Sequence, residues 1–253
     1  MPQKVVDRAY ERDASAASAE FGGLFRSDLE AFVTREMIEG AVSAGVTVRA
    51  LLSSVRYVGF TDPSGGSNDS MTMCVAHREG AKVIVDCIGE RRAPFSPDSV
   101  VTEFAATFKA HKITKIPGDR YAGEWPREAF RKQGITYEPA EMNRSELYLG
   151  FLPLLNSRRL DLLDNPRMVN QFVGLERRVA RSGKDSVDHA PSAGAFDDVA
   201  NSVAGAVALA SADDGRDFLK LFTPELRRRL AQPSIHGRGE LSTYLRQLRE
   251  SNR

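Results

Sequence analysis

Three aspartates lie where predicted elements of secondary structure begin or end. Asp62 closes the apolar run 56–62 directly before a Pro-Ser-Gly-Gly turn, and Asp119 follows a short apolar run. Asp198 lies beside Asp197 in the first turn of a predicted late helix, where the helix dipole favours negative charge. Taken alone, each acid has a structural explanation, since aspartate is common in turns and at helix caps.

Taken together, these acids suggest a metal site. Carboxylates held close together repel one another, so a shared pocket for them needs a divalent cation. Hard oxygen ligands favour Mg²⁺ or Mn²⁺. Two such ions about 4 Å apart can activate a water and stabilise the leaving oxygen in the cleavage of a phosphodiester.

A sheet is required to bring the acids together. Residues 56–90 predict an antiparallel meander, because they contain three apolar runs joined by polar or Gly-rich turns. A helix over 96–112 and a strand over 113–116 follow, and such a strand usually returns parallel to the centre of the sheet. This order places Asp119 at the same edge as Asp62.

The late helix, predicted over residues 196–210, is suited to pack on that sheet. Val199, Val203 and Val207 recur every four residues, and the alanines and the glycine between them keep the helix thin. A polar loop is predicted before it, over residues 182–195. Asp198 would thereby reach the edge that carries the other two acids.

Three motifs of this chain resemble those of a known family. They are Phe60-Thr-Asp-Pro-Ser-Gly-Gly66, Gly118-Asp-Arg-Tyr-Ala-Gly-Glu-Trp125, and the stretch 188–202 that contains Asp197 and Asp198. They are similar, in the same order, to motifs of the nuclease domain of phage large terminase subunits, which belongs to the RNase H-like, RuvC-like group. The resemblance covers about residues 20–211.

The resemblance implies a fold and a set of site residues. The fold is α/β, with an RNase H-like mixed central sheet flanked by helices and with helical N- and C-terminal extensions. Asp62, Asp119 and Asp198 would be catalytic and would hold two metal ions, with Asp197 as a fourth ligand or in place of Asp198. Asp69, in the turn after the first motif, is a weaker candidate for the outer shell of the site.

Two positions depart from the family pattern. Many relatives have a histidine where this chain has Phe196, and a further acid where it has Asn201. Both changes would weaken the second metal position. The three central acids are retained.

The resemblance also predicts a division of the chain into three parts. Residues 1–54, expected to be helical and to lack strands, would be a linker or remnant of a preceding ATPase domain; residues 55–212 would be the nuclease domain, and residues 213–253 a basic helical tail. The phosphate loop of an ATPase, G-x-x-x-x-G-K-[ST], is absent from the sequence. We therefore expect no ATP hydrolysis by this chain.

Composition limits how the chain could bind a polyanion. Of 253 residues, 42% are hydrophobic and 27% charged, and the formal net charge is +1, so attraction to DNA must come from local clusters. Such contacts to phosphates predict weak sequence preference and steep salt dependence. The candidates are Lys115 and Arg120 near Asp119, and the cluster Arg177, Arg178 and Arg181.

Two functions from different classes follow from these features. The first is a Mg²⁺- or Mn²⁺-dependent endonuclease that cuts concatemeric double-stranded phage DNA during genome packaging, with the terminase ATPase domain, the small terminase subunit and the portal as partners. The second is an inactivated prophage remnant that acts as a docking module for DNA or the portal. A junction resolvase of the same fold is a third possibility. No signal peptide or apolar span of about 20 residues is present, which predicts a location in the host cytoplasm without membrane attachment.

Overall fold

The structure is a computed structural model that describes residues 3–12, 17, 29–119, 124–179, 185–190 and 196–212. The predicted C-terminal tail, residues 213–253, lies outside this range. Every structural statement below concerns the described residues. Among them, no helix is both long and apolar enough to cross a bilayer.

Helices and strands alternate along most of the described chain, as expected for an α/β protein. In chain order the elements are α1 Gln3–Arg12, β1 Leu29–Ala31, α2 Arg35–Glu39, β2 Val42–Ser43, β3 Tyr57–Asp62, β4 Met71–Glu79, β5 Lys82–Arg91, α3 Pro97–Ala110, β6 Lys115–Gly118, α4 Trp125–Lys132, β7 Thr136–Pro139, α5 Arg144–Asn156, β8 Leu160–Leu163, α6 Pro166–Val173, β9 Leu175–Val179, β10 Asp185–His189 and α7 Asp198–Ser211.

A seven-stranded mixed sheet forms the centre, in the order β2-β8-β5-β4-β3-β6-β7. Strands β3, β4 and β5 are the predicted antiparallel meander, and β6 returns parallel to β3 after helix α3. Thr61 lies opposite Gly118 in that parallel pair. The next residues are Asp62 and Asp119, so both aspartates lie at the same edge of the sheet. The combination of antiparallel and parallel pairs confirms the expected mixed sheet.

Helices cover both faces of this sheet. On one face α3 and α4 pack against β4 and β6 through a buried apolar cluster that includes Phe104, Phe108 and Phe130. On the other face α7 packs against β3 and β4. A Cβ at Gly205 of α7 would lie 2.3 Å from Cγ of Phe60 on β3, so only glycine permits this close approach. The thin helix therefore sets Asp198 at the end of β3.

Two sequence-based expectations about secondary structure are wrong. The segment 1–54 contains strands β1 and β2, and β2 pairs in parallel with β8 at the end of the central sheet. Strand β10 lies within the predicted loop 182–195 and pairs with β9, which also pairs with β1, in a second sheet of three strands. Strands β1 and β2 depend on partners far along the chain, of which local propensity carries no signal, whereas β10 pairs with β9, the strand directly before it in the chain. The division of the chain at residues 54 and 212 stays a prediction.

Candidate metal centre

Asp62 and Asp119 converge at one edge of the sheet. The backbone N–H of Asp119 donates to the carbonyl of Thr61 over 3.2 Å, which continues the parallel pairing past Gly118. Tyr137 donates from its hydroxyl to the carbonyl of Asp119 over 2.7 Å and holds this turn in place. A Cβ at Gly118 would lie 2.6 Å from the Thr61 carbonyl, so glycine is required for the two aspartates to come this near.

A single side-chain amide contacts both carboxylates. Nδ2 of Asn201, on α7, donates to Oδ2 of Asp62 over 2.8 Å and to Oδ2 of Asp119 over 3.3 Å. Two hydrogens on one nitrogen thus serve two acids from different strands. The resemblance had marked Asn201 only as a departure from the family pattern, whereas in the structure it connects the two acids.

The Asp62 carboxylate lies in an environment that disfavours its charge. Burial raises its pKa well above the usual value, and repulsion from Asp119 and Asp198 raises it further, while the hydrogen bond from Asn201 opposes both effects. A carboxylate in this position is stabilised when positive charge is brought close to it.

Asp198 lies at the start of α7 and completes the trio of predicted acids. Its main-chain carbonyl accepts a hydrogen bond from Thr72 Oγ1 over 2.7 Å, which fixes the helix start against β4. Its Oδ2 atom is buried and has no hydrogen-bond partner within the described part of the chain. Burial raises its pKa to about 6, with further contributions from the negative charges of Asp197, Asp69 and Glu90.

Asp197 has a different environment from its neighbour. Arg144 Nη1 donates to its two carboxylate oxygens over 2.9 and 3.1 Å, and the Tyr148 hydroxyl donates to Oδ2 over 2.8 Å. The residue is buried and these three bonds use both of its oxygens. Asp197 therefore holds Arg144 beside the site. Because both oxygens of Asp197 are already used, Asp198 is the better candidate metal ligand of these two aspartates.

The donor set fits a divalent cation only in part. Within the described ranges, no three His, Cys, Asp or Glu side chains stand close enough together to hold one metal ion. Two carboxylates do converge, on Asn201, and at this edge of the sheet Oδ2 of Asp198 and Oδ1 of Asn201 are buried oxygen atoms without a hydrogen-bond partner among the described residues. An ion bound to Asp62 and Asp119 would relieve their repulsion, and side chains would have to shift for Asp198 to join them.

The predicted DNA-binding cations that the structure describes are not gathered at this edge. Lys115 lies at the other end of β6 from Asp119 and forms an exposed ion pair with Glu138 at 2.8 Å. Arg177 is buried in the three-stranded sheet and is paired with Asp185. Arg178 keeps an exposed guanidinium beside Glu176. Arg120 and Arg181 lie outside the described residues.

Two arginines that the sequence analysis did not select lie next to the acids. Arg144, at the start of α5, places Nε 4.0 Å from Oδ2 of Asp119 in addition to its bonds with Asp197. Arg167, in the first turn of α6, places Nε 2.6 Å from Glu90 Oε1, and its positive charge lowers the pKa of Asp198. Arg167 lies four residues after the last residue of β8, and no local sequence pattern marks it or Arg144 as a site residue.

The likeness of this chain to known proteins lies in its structure. No protein-family model and no curated protein sequence matches the chain. The crystal structure of the large terminase nuclease from thermophilic phage G20c with bound magnesium matches with a TM-score of 0.57 and 15% identity, over 72% of this chain and 98% of that one. The same nuclease with bound cobalt gives a TM-score of 0.54 and 14% identity, over 73% and 88% of the two chains.

A large terminase also matches over part of its length. The HK97 bacteriophage large terminase gives a TM-score of 0.57 and 13% identity over 71% of this chain and 43% of its own, so this chain spans less than half of that protein. Structural similarity at such low sequence identity establishes a common fold and leaves the roles of individual residues open. The resemblance predicted from the motifs is confirmed in this respect: the chain has the fold of the nuclease domain of phage large terminases.

Proposed function

We propose that this protein is a metal-dependent DNA endonuclease whose site consists of Asp62, Asp119 and Asp198. The observation that carries the proposal is the convergence of Asp62 and Asp119 on one donor group, beside the buried and unpartnered Oδ2 of Asp198. Raised carboxyl pKa values in such a cluster are typical of functional sites. The shared fold with terminase nucleases supports the same reading.

Mg²⁺ or Mn²⁺ is the proposed cofactor, and the magnesium and cobalt bound by the G20c nuclease support a divalent ion. Asp62 and Asp119 would hold one ion and Asp198 would contribute to a second. In this kind of site the ions activate a water and stabilise the leaving oxygen of a phosphodiester. The chain itself supplies the fixed carboxylates, and Asn201 orients two of them.

Arg144 is proposed to position the DNA backbone. Its guanidinium is held on Asp197 and lies beside Asp119, with about a third of the side chain exposed. Arginine in such a fixed position suits a phosphate oxygen, which it contacts without reading a base. We infer double-stranded DNA as the substrate, cut during genome packaging together with a terminase ATPase domain, a small subunit and a portal. ATP hydrolysis is not expected from this chain.

A second candidate function is a non-catalytic module that docks on DNA or on a portal. The observation that favours it is that the described residues contain no group of three potential ligands within reach of one ion. The asparagine at position 201, where the resemblance predicts an acid, also favours the docking module. Both functions use the same surface, so a test for catalysis is needed to distinguish them.

A nicking assay on supercoiled plasmid in Mn²⁺ tests the proposal. We expect the full chain to nick DNA, EDTA to stop the reaction, and Asp62→Asn to slow it by about 100-fold or more, because the variant keeps the shape but loses a charged ligand. Asp98→Asn changes an exposed acid in the first turn of α3 and is the matched control. Metal-independent nicking, or equal rates for Asp62→Asn and wild type, would contradict the endonuclease. DNA binding without nicking would favour the docking module.

A further inference from the structure

Asn201 lies between the two carboxylates that the proposed function assigns to the metal. The residue is 1% exposed, and its Nδ2 is 2.8 Å from Asp62 Oδ2 and 3.3 Å from Asp119 Oδ2. The amide hydrogens therefore supply the positive polarity that two neighbouring carboxylates require. A divalent cation shared by the same two oxygen atoms would need the space that this nitrogen occupies.

The other end of the amide has no hydrogen-bond partner. Oδ1 of Asn201 is buried and lacks a donor among the described residues. An amide turned the other way would place Oδ1 against two carboxylate oxygens, which is repulsive, so the observed orientation is the favourable one without an ion. With an ion between the carboxylates the N–H groups become unfavourable neighbours, because their positive ends would point at a cation, so the amide nitrogen must leave that position.

The backbone around Asn201 is fixed, so the side chain alone can respond. Its N–H donates to the carbonyl of Asp197 over 2.7 Å in the first turn of α7. Thr72 secures the same turn through the Asp198 carbonyl, and Ser202 secures it through a 2.6 Å contact with the Thr72 hydroxyl. Rotation about the last side-chain bond changes which amide atom faces the acids without moving the helix.

We propose that the Asn201 amide occupies the position of the cation in the metal-free protein and must turn away before an ion can bind. This inference rests on the proposed function, since the ion is the one assigned there to Asp62 and Asp119. Asn201 is thus a positioning residue that holds the two acids ready and at the same time lowers the affinity for metal. An acid at this position would instead repel its neighbours in the absence of metal.

Calorimetric titration of the full chain with Mn²⁺ alone, without DNA, tests this competition. Asn201→Ala removes hydrogen bonds that exist only in the metal-free state, so we expect Mn²⁺ to bind about tenfold more tightly than to wild type. The melting temperature of the variant in EDTA should fall. Ser211→Ala, which alters a buried serine at the opposite end of the same helix, is the control and should leave the affinity for Mn²⁺ unchanged.

Weaker or equal binding of Mn²⁺ by Asn201→Ala would overturn this inference and leave the proposed function standing. No binding of Mn²⁺ by the wild type would overturn both.

A measurement on the wild type covers the case in which Asn201→Ala does not fold. The side-chain amide resonances of Asn201 are followed by NMR while Mg²⁺ is added, with Asn201→Asp used for their assignment. We expect these resonances to shift as the hydrogen bonds to the two carboxylates break. Unchanged side-chain resonances, while the backbone signals of Asp62 and Asp119 shift, would show that the amide does not turn and would overturn the inference.

Discussion

Strands β3, β4 and β5 bury acids at both ends, and the two ends handle the charge differently. At the end where Tyr57 pairs with His77, Asp86 of β5 contacts His77 Nδ1 over 2.7 Å, and both side chains are 2% exposed. The other ring nitrogen contacts Glu79 over 3.2 Å, so an imidazolium can donate to both acids at once. We name this group, His77, Asp86 and Glu79, the histidine end.

The opposite end, where Asp62 pairs with Thr72, accumulates acids instead; we name Asp62, Asp119 and Asp198 the carboxylate end. Burial raises the pKa of Asp86 as it does that of Asp62. The neighbours differ: His77, His111 and Arg49 lower the pKa of Asp86, whereas for Asp62 the lowering by Asn201 and Arg144 is opposed by Asp119 and Asp198, which raise it.

This contrast distinguishes a structural acid from a candidate ligand better than burial does. Each end contains a buried carboxylate oxygen without a partner, Oδ1 of Asp86 and Oδ2 of Asp198. At the carboxylate end, Arg144 and Arg167 lie near the three acids, but each arginine also pairs with a further acid, Asp197 or Glu90. Acids therefore outnumber cations among the described residues of this end, which is the arrangement expected of a site that binds a cation.

Loss of the imidazole should produce the largest effect on stability. His77→Ala leaves Asp86 buried without its partner, and breaking a buried pair in this way costs about 3–5 kcal/mol. Urea denaturation in EDTA measures the change. Glu79→Gln is the matched control, because Glu79 is 55% exposed and its loss should cost less than about 1 kcal/mol. Equal losses in the free energy of unfolding for the two variants would show that His77 does not stabilise the buried Asp86.

Loss of the arginine at the carboxylate end should have the next largest effect. Arg144→Gln removes the cation from buried Asp197, although Tyr148 still donates to that acid, so we expect a loss of about 2 kcal/mol. DNA binding, measured by fluorescence anisotropy with Ca²⁺ in place of Mn²⁺, should weaken as well. Arg127→Gln, in an exposed pair with Glu124, is the control and should change stability by under about 0.5 kcal/mol. Unchanged DNA affinity in Arg144→Gln would exclude a phosphate contact.

Removing an acid from the carboxylate end should stabilise the metal-free protein by a smaller amount. The pKa of Asp198 is raised to about 6, so its contribution to stability is fully present below the unfolded pKa of about 4 and is lost as pH rises through 6. In EDTA at pH 7.5, Asp198→Asn should therefore be more stable than wild type by about 1–2 kcal/mol, and near pH 4 the difference should vanish. Thermal melts across this pH range measure it. A variant that is less stable than wild type at pH 7.5 would show that Asp198 is compensated within the protein.

The edge position of Asp62 and Asp119 could be predicted because each follows a strand directly in sequence, and the meander-helix-strand order brings both strands to the centre of one sheet. The local sequence pattern was enough for this prediction, because turn residues and the right-handed connection between parallel strands limit the possible topologies. Strands β1, β2 and β10 could not be predicted in this way. They are two to five residues long; partners far along the chain stabilise β1 and β2, and β10 pairs with the neighbouring strand β9 although its sequence has no apolar alternation.

The same limit applies to the residues around the acids. Arg144 and Arg167 carry no pattern that separates them from the other arginines of this chain, and Asn201 was visible only as a departure from an expected acid. Conversely, Arg177 belonged to a basic cluster in the sequence, and the fold buries it against Asp185. A cation is available to DNA only if the fold leaves it exposed, and sequence spacing does not report exposure.

The amino-acid sequence alone determined the meander β3-β4-β5, the parallel return of β6 and the carboxylates at the ends of β3 and β6, because turn residues and hydrophobic periodicity are local properties. Tertiary structure decided which groups neutralise those carboxylates. Asn201 reaches Asp62 and Asp119 across separations of 139 and 82 residues, and Arg144 reaches Asp197 across 53. Electrostatic energy depends on distance through space, so only the folded chain decides whether a buried acid has a partner or requires one from outside.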